Sequence, residues 1–135
     1  VAYQNLQLIT DAYRIVNIID ENEAPTAAQS NLALAVLNDM LANEAADGLR
    51  LGWFPQTTLS ATAPLRDQDV YGVKLMLAKK LALRFGIDIT DENMKVEMAE
   101  SYRQLVKRAI RYTESDLGEL QRPQAGPWGG AGYFL

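Results

Sequence analysis

Apolar residues recur along most of this chain at three- and four-residue spacings, and polar breaks divide the pattern into four helical stretches. The first helix is predicted from about Gln4 to Ile19. Leu6, Ile9, Tyr13 and Val16 form one stripe, with Leu8, Ala12, Ile15 and Ile19 beside it. That arc is wider than one face of a surface helix needs, so the helix is either central in the bundle or touches a neighbouring subunit. A polar loop, Asp20-Glu21-Asn22-Glu23-Ala24-Pro25, ends it. Thr26 and Gln29 then have the spacing of a capping box. The second helix reaches about Ala46 and stops at Asp47-Gly48. Leu34, Leu37 and Leu41 line one stripe and Leu32, Val36 and Met40 an adjoining one, so this helix too is apolar on more than one side.

Residues 49–61 break the helical period. Leu49, Leu51 and Trp53 alternate with Arg50 and Gly52, as in a strand, and Thr57-Thr58-Leu59-Ser60 is a second weakly extended piece after Phe54-Pro55-Gln56. A small hairpin or an extended arm fits, and either must lean on the bundle or on a partner. The third helix is predicted from about Asp67 to Phe85 on Val70, Val73, Leu77 and Leu81, with Gly86 closing it. Lys79, Lys80 and Arg84 suit its negative end. Thr90 is the expected cap of a fourth helix that carries Met94, Met98, Leu105, Val106 and Ile110 and runs to roughly Thr113.

The end of the chain has a different character. Pro127-Trp128-Gly129-Gly130-Ala131-Gly132-Tyr133-Phe134-Leu135 is too rich in glycine for regular structure, yet its large side chains favour a dry environment. It either inserts into a partner or folds back over its own core. The resulting fold class is mainly α: a four-helix bundle over 1–115, a short extended or hairpin segment between helices 2 and 3, and an extended C-terminal tail over 116–135.

Composition narrows the chemistry. The chain of 135 residues has no cysteine and no histidine, so thiolate nucleophiles, disulfides, cysteine zinc sites and imidazole bases are all excluded. Its glycine-rich end is neither preceded by a strand nor followed by a helix, which argues against a nucleotide loop. Asp67 and Asp69 suit a helix start, while Asp88, Asp91 and Glu92 lack the spacing of a calcium loop. Glu97 and Glu100 read as a wet face pairing with Arg103 and Lys107. No catalytic, cofactor-binding or metal-binding residue is predicted, and no enzyme activity. The one dense basic cluster is Arg103, Lys107, Arg108 and Arg111, a candidate subunit-interface or channel patch.

No apolar run approaches the roughly 18 residues of a membrane span, and no positively charged leader precedes an apolar block, so neither membrane insertion nor secretion is expected. A formal net charge of −4 disfavours the whole molecule as a nucleic-acid binder. The charge is uneven. Residues 1–69 hold 9 acidic and 3 basic side chains, residues 70–135 hold 8 and 10, a polarity that suits head-to-tail packing of identical subunits.

The order of these features resembles a known family. Ala24-Pro25-Thr26 leads into Asn31-Leu-Ala-Leu-Ala-Val-Leu-Asn-Asp-Met-Leu41, followed by Asp47-Gly48-Leu49 and Leu51; after the extended segment, Leu75-Met-Leu-Ala-Lys-Lys-Leu-Ala82 ends at Phe85-Gly86. Over about residues 5 to 112 this is similar to the head-to-tail connector (adaptor) proteins of tailed bacteriophages, closest to the packaged-DNA stabilization or tail accessory proteins of short-tailed phages. The resemblance implies a structural virion protein in the phage neck, assembled in the host cytoplasm as a dodecameric homo-oligomeric ring beneath the portal protein. Such a ring closes the DNA-filled head, lets packaged DNA pass without reading its sequence, and offers a platform to a downstream tail or nozzle protein. It further implies that the C-terminal segment reaches the portal, with Trp128, Tyr133, Phe134 and Leu135 as its anchors. A small helical regulatory or nucleic-acid-binding module is the alternative.

Overall fold

The computed structural model describes residues 3–125, with side chains over 3–109. Four helices lie among them: α1 (Asn5–Ile15), α2 (Ala27–Ala46), α3 (Asp67–Arg84) and α4 (Glu92–Ala125). Helix α3 is the common neighbour, packing on α1, α2 and α4, while α1 also packs on α2. The molecule is a mainly α four-helix bundle, as the periodicity implies.

The helix ends are set by local backbone chemistry. Thr26 accepts a hydrogen bond from the Gln29 N–H at 3.1 Å, and Gln29 Oε1 returns one from the Thr26 N–H at 2.9 Å. That is the expected capping box. Three helices end in the same way, with a left-handed residue whose own N–H and that of the next residue reach back to orphan carbonyls. In α2 and α3 that residue is Gly48 or Gly86, and the Leu49 and Ile87 N–H groups reach Glu44 O and Ala82 O at 2.8 Å each. In α1 it is Asn17, at φ 58°, with the Ile18 N–H on Tyr13 O at 3.0 Å. Asn17 therefore stops α1 at Ile15, short of the predicted Ile19. Asparagine tolerates this conformation because its short polar side chain costs little there.

Two further boundaries differ from the prediction. The cap of α4 is Asp91, not Thr90: its carboxylate accepts the Asn93 N–H at 2.9 Å and its carbonyl the Lys95 N–H at 3.1 Å. Helix α4 also continues beyond Thr113 to Ala125, so residues 116–125 of the predicted tail have helical backbone. Residues 126–135, which include Trp128, Tyr133, Phe134 and Leu135, lie outside the described residues.

Most of the broad apolar arc of α1 is buried within the chain. Leu8, Ile9, Ala12 and Tyr13 are all fully buried, so α1 is a core helix, while Leu6 of the same arc stays exposed. Tyr13 joins three elements, donating its hydroxyl proton to Gln29 O at 2.7 Å and meeting the Phe85 ring at 5.8 Å between centroids. Burial pushes its phenol pKa up. Helix α2 is different: Leu34, Leu37, Met40 and Leu41 are buried, while Leu32 and Val36 stay partly exposed.

Candidate functional site

Helices α3 and α4 meet through a close contact and a charge pair, and this joint decides the fate of the basic cluster. A Cβ at Gly72 would lie 2.6 Å from Leu105 Cγ, so glycine is what admits the fully buried Leu105 against α3. In the first turn of α3, Asp69 is fully buried, where a carboxylate also favours the positive helix end. Arg108 reaches it from α4, with Nε 3.4 Å from Asp69 Oδ1 and Nη2 donating to Gln68 O at 2.9 Å. Arg66 Nε lies 3.5 Å from the other carboxylate oxygen.

Of the predicted basic residues, the three with described side chains have different surroundings. Arg108 is turned inward as a tie between helices. Arg103 is held by Glu100 on its own helix, an ion pair that, with Gln104, lowers the Glu100 carboxyl pKa below its ordinary value. Lys107 is exposed and makes no ion pair among the described residues. The Arg111 side chain lies outside the described side chains. Periodicity places these cations on neighbouring turns but carries no information about a buried carboxylate 39 residues earlier.

Residues 49–63 form neither a hairpin nor a strand; they cross the bundle as an irregular strap. Its one bridge is an isolated antiparallel pairing of Gln4 with Thr62. Leu49 and Leu51 are buried while Arg50 and Gly52 are exposed, so the alternation records one-sided burial without a sheet. Asn38 of α2 clamps the strap. Its Oδ1 accepts from Trp53 Nε1 at 3.0 Å and from the Gln56 N–H at 2.9 Å, and its Nδ2 donates to Gln56 O at 2.8 Å. The buried Asn5 holds the far end, donating through Nδ2 to Gln56 Oε1 at 3.1 Å and Thr58 O at 2.9 Å.

The strap also finishes α1. A helix leaves its first N–H groups without intrahelical partners. Here the Asn5 and Leu6 N–H groups donate to Ala61 O and Leu59 O, both at 2.9 Å.

The remaining polar contacts join helices. Lys74 Nζ sits 2.9 Å from Asp11 Oδ2 and 4.6 Å from the Tyr3 ring centroid, linking α3 to the start of the chain. Burial opposes the Lys74 charge, but the hydrogen bonds to Asp11 and Tyr3 outweigh it and raise its pKa. Tyr102 donates to Glu44 at 2.8 Å, which raises the Tyr102 pKa ahead of its desolvation. Glu97 Oε1 accepts a hydrogen bond from the Tyr71 hydroxyl at 3.0 Å. The glutamates read as a wet face are thus paired, Glu100 on its own helix and Glu97 across to α3.

Among the described residues no cluster of three or more acidic, His or Cys side chains could hold a metal ion. No described helix is long and apolar enough to cross a membrane. Chemically, these arrangements tie elements of the bundle to one another. The chain matches no model of a known protein family, and no curated protein is significantly similar to it.

Proposed function

We propose that this chain is a structural subunit of a tailed-phage neck: a head-to-tail connector that forms a ring beneath the portal and closes the filled head. What carries the reading is where the family-like residues fall in the fold. Thr26 caps α2, Asn38 clamps the strap, Met40 and Leu41 enter the core, and Asp47-Gly48-Leu49 and Phe85-Gly86 form helix stops. Residues with such duties define an architecture, and the resemblance ties that architecture to connectors. The ties described above also occupy many of the polar side chains that a nucleic-acid module or an enzyme would need free.

In this reading the C-terminal segment, with Trp128, Tyr133, Phe134 and Leu135, docks on the portal protein. Burial of those aromatic side chains against the portal favours docking. Repetition around the ring adds to it, because each further tail binds at high effective concentration. DNA passes through the ring and a tail protein binds below it.

Native mass spectrometry of the protein, alone and mixed with portal rings, tests this. The expected result is a monomer that becomes a portal-bound ring. Deleting residues 126–135, beyond the end of α4, is expected to leave the melting temperature unchanged while abolishing portal association. Normal incorporation of the truncated chain would sink the docking role.

A further inference from the structure

Surface helices usually turn charged or long polar side chains to water. Helix α2 does so sparingly. Its exposed residues Ala28, Asn31, Ala35, Asp39, Ala42 and Ala46 share an arc of about 80° at 100° per residue, with Ala27 and Asn43 exposed at its two sides. The helix contains no lysine or arginine, and Asp39 is the charge on this arc, since Glu44 lies on the opposite side of the helix and accepts from Tyr102. The face is made mostly of small side chains and carries one negative charge.

The C-terminal half of α3 is its opposite. Lys79, Lys80, Leu83 and Arg84 are exposed on one arc, with Leu83 projecting between the two lysines. Leu83 is 77% exposed, and Ile87 lies just past the helix end. None of these three cations has a hydrogen bond or ion pair among the described residues. An apolar centre with a polar rim is the anatomy of a protein contact.

We propose that the α3 knob of one subunit, Leu83 ringed by Lys79, Lys80 and Arg84, docks on the α2 face of the next copy. This rests on the ring reading above and names its subunit contact. Pairing like with like would set Asp39 near Asp39 or lysines near lysines, so charge selects the head-to-tail arrangement. A contact between two different faces of one chain repeats from copy to copy and closes where the rotation allows. The alanines have no rotamers to freeze on docking and let a neighbouring helix approach closely.

The absence of native cysteine makes disulfide trapping clean. Separate full-length preparations carrying Leu83→Cys and Ala35→Cys are mixed, oxidised with portal rings present, and resolved by mass. The expected result is a mixed disulfide in excess of either self-pair. Lys79→Glu with Lys80→Glu on the Leu83→Cys chain is expected to cut the cross-link about tenfold, and Asp39→Lys on the other chain to restore it. Circular dichroism checks that these surface variants fold. Light scattering of the wild-type mixture reports ring formation independently. A ring without the mixed disulfide overturns this contact and leaves the ring reading standing; no ring overturns both. Duplex DNA binding that requires Lys79 and Lys80, without the mixed disulfide, overturns the contact and assigns those cations to phosphates.

Discussion

Two of the polar joints in this bundle differ in kind, one of neutral amides and one of opposite charges. At Asn38 a single side chain answers two donors and one acceptor of the strap, and reciprocity does the work. At Asp69 a fully buried carboxylate depends on arginines that keep one flank in water. The amide joint is self-contained, so losing it leaves unsatisfied dipoles. The ionic joint is asymmetric, so the cost of breaking it depends on which partner goes. Substitutions at each can separate the two behaviours.

The largest effect is expected at the ionic joint. Arg108→Met strands the Asp69 carboxylate with Arg66 at 3.5 Å, and denaturant unfolding is expected to show a loss of about 3–5 kcal/mol. Asp69→Asn is expected to cost less, because Arg108 can turn to solvent. Equal losses from the two variants would remove the asymmetry. Asn38→Ala is next, at about 2 kcal/mol, while Asn38→Asp keeps the acceptor for Trp53 and costs about 1 kcal/mol. If the Asp variant proves the worse, strap docking rests on the Nδ2 donor to Gln56 instead.

Gly72→Ala tests the steric side of the α3–α4 joint. Overpacking against Leu105 costs about 1–3 kcal/mol, and better helix propensity returns about 1 kcal/mol. Pairing it with Leu105→Ala should show coupling in a double-mutant cycle. The smallest effect is at Lys74, where Lys74→Met is expected to cost under about 1 kcal/mol at neutral pH. Its folded pKa is raised above 10.5, so the ion pair's contribution is full below that value. It is lost as pH rises through the raised value, and the mutant and wild-type stabilities should converge there.

Helices α2 and α3 were legible because their apolar periods, capping box and terminal glycines all agree. The end of α1 was misplaced because the apolar pattern runs on to Ile19 while the backbone turns at Asn17. A stop carried by asparagine is quieter than one carried by glycine, though the residue was there to be read. Alternation over Leu49 to Trp53 left a hairpin and an extended arm both open, because period-two burial looks alike in a sheet and in a strap laid on helices, and the arm is what forms. The pairing of Arg108 was not legible for a different reason. A helical wheel shows which residues share a side and not what faces them, and Asp69 lies on another helix.

The way the strap completes α1 has a kinetic meaning. The Asn5 and Leu6 amide protons are held by carbonyls of Leu59 and Ala61, more than 50 residues along the chain. Their exchange with deuterated solvent therefore reports the lifting of the strap and not the fraying of α1 alone. Two adjacent amides near the start of the chain are a built-in gauge of a segment in its middle. Any partner that grips the strap should slow them without touching α1.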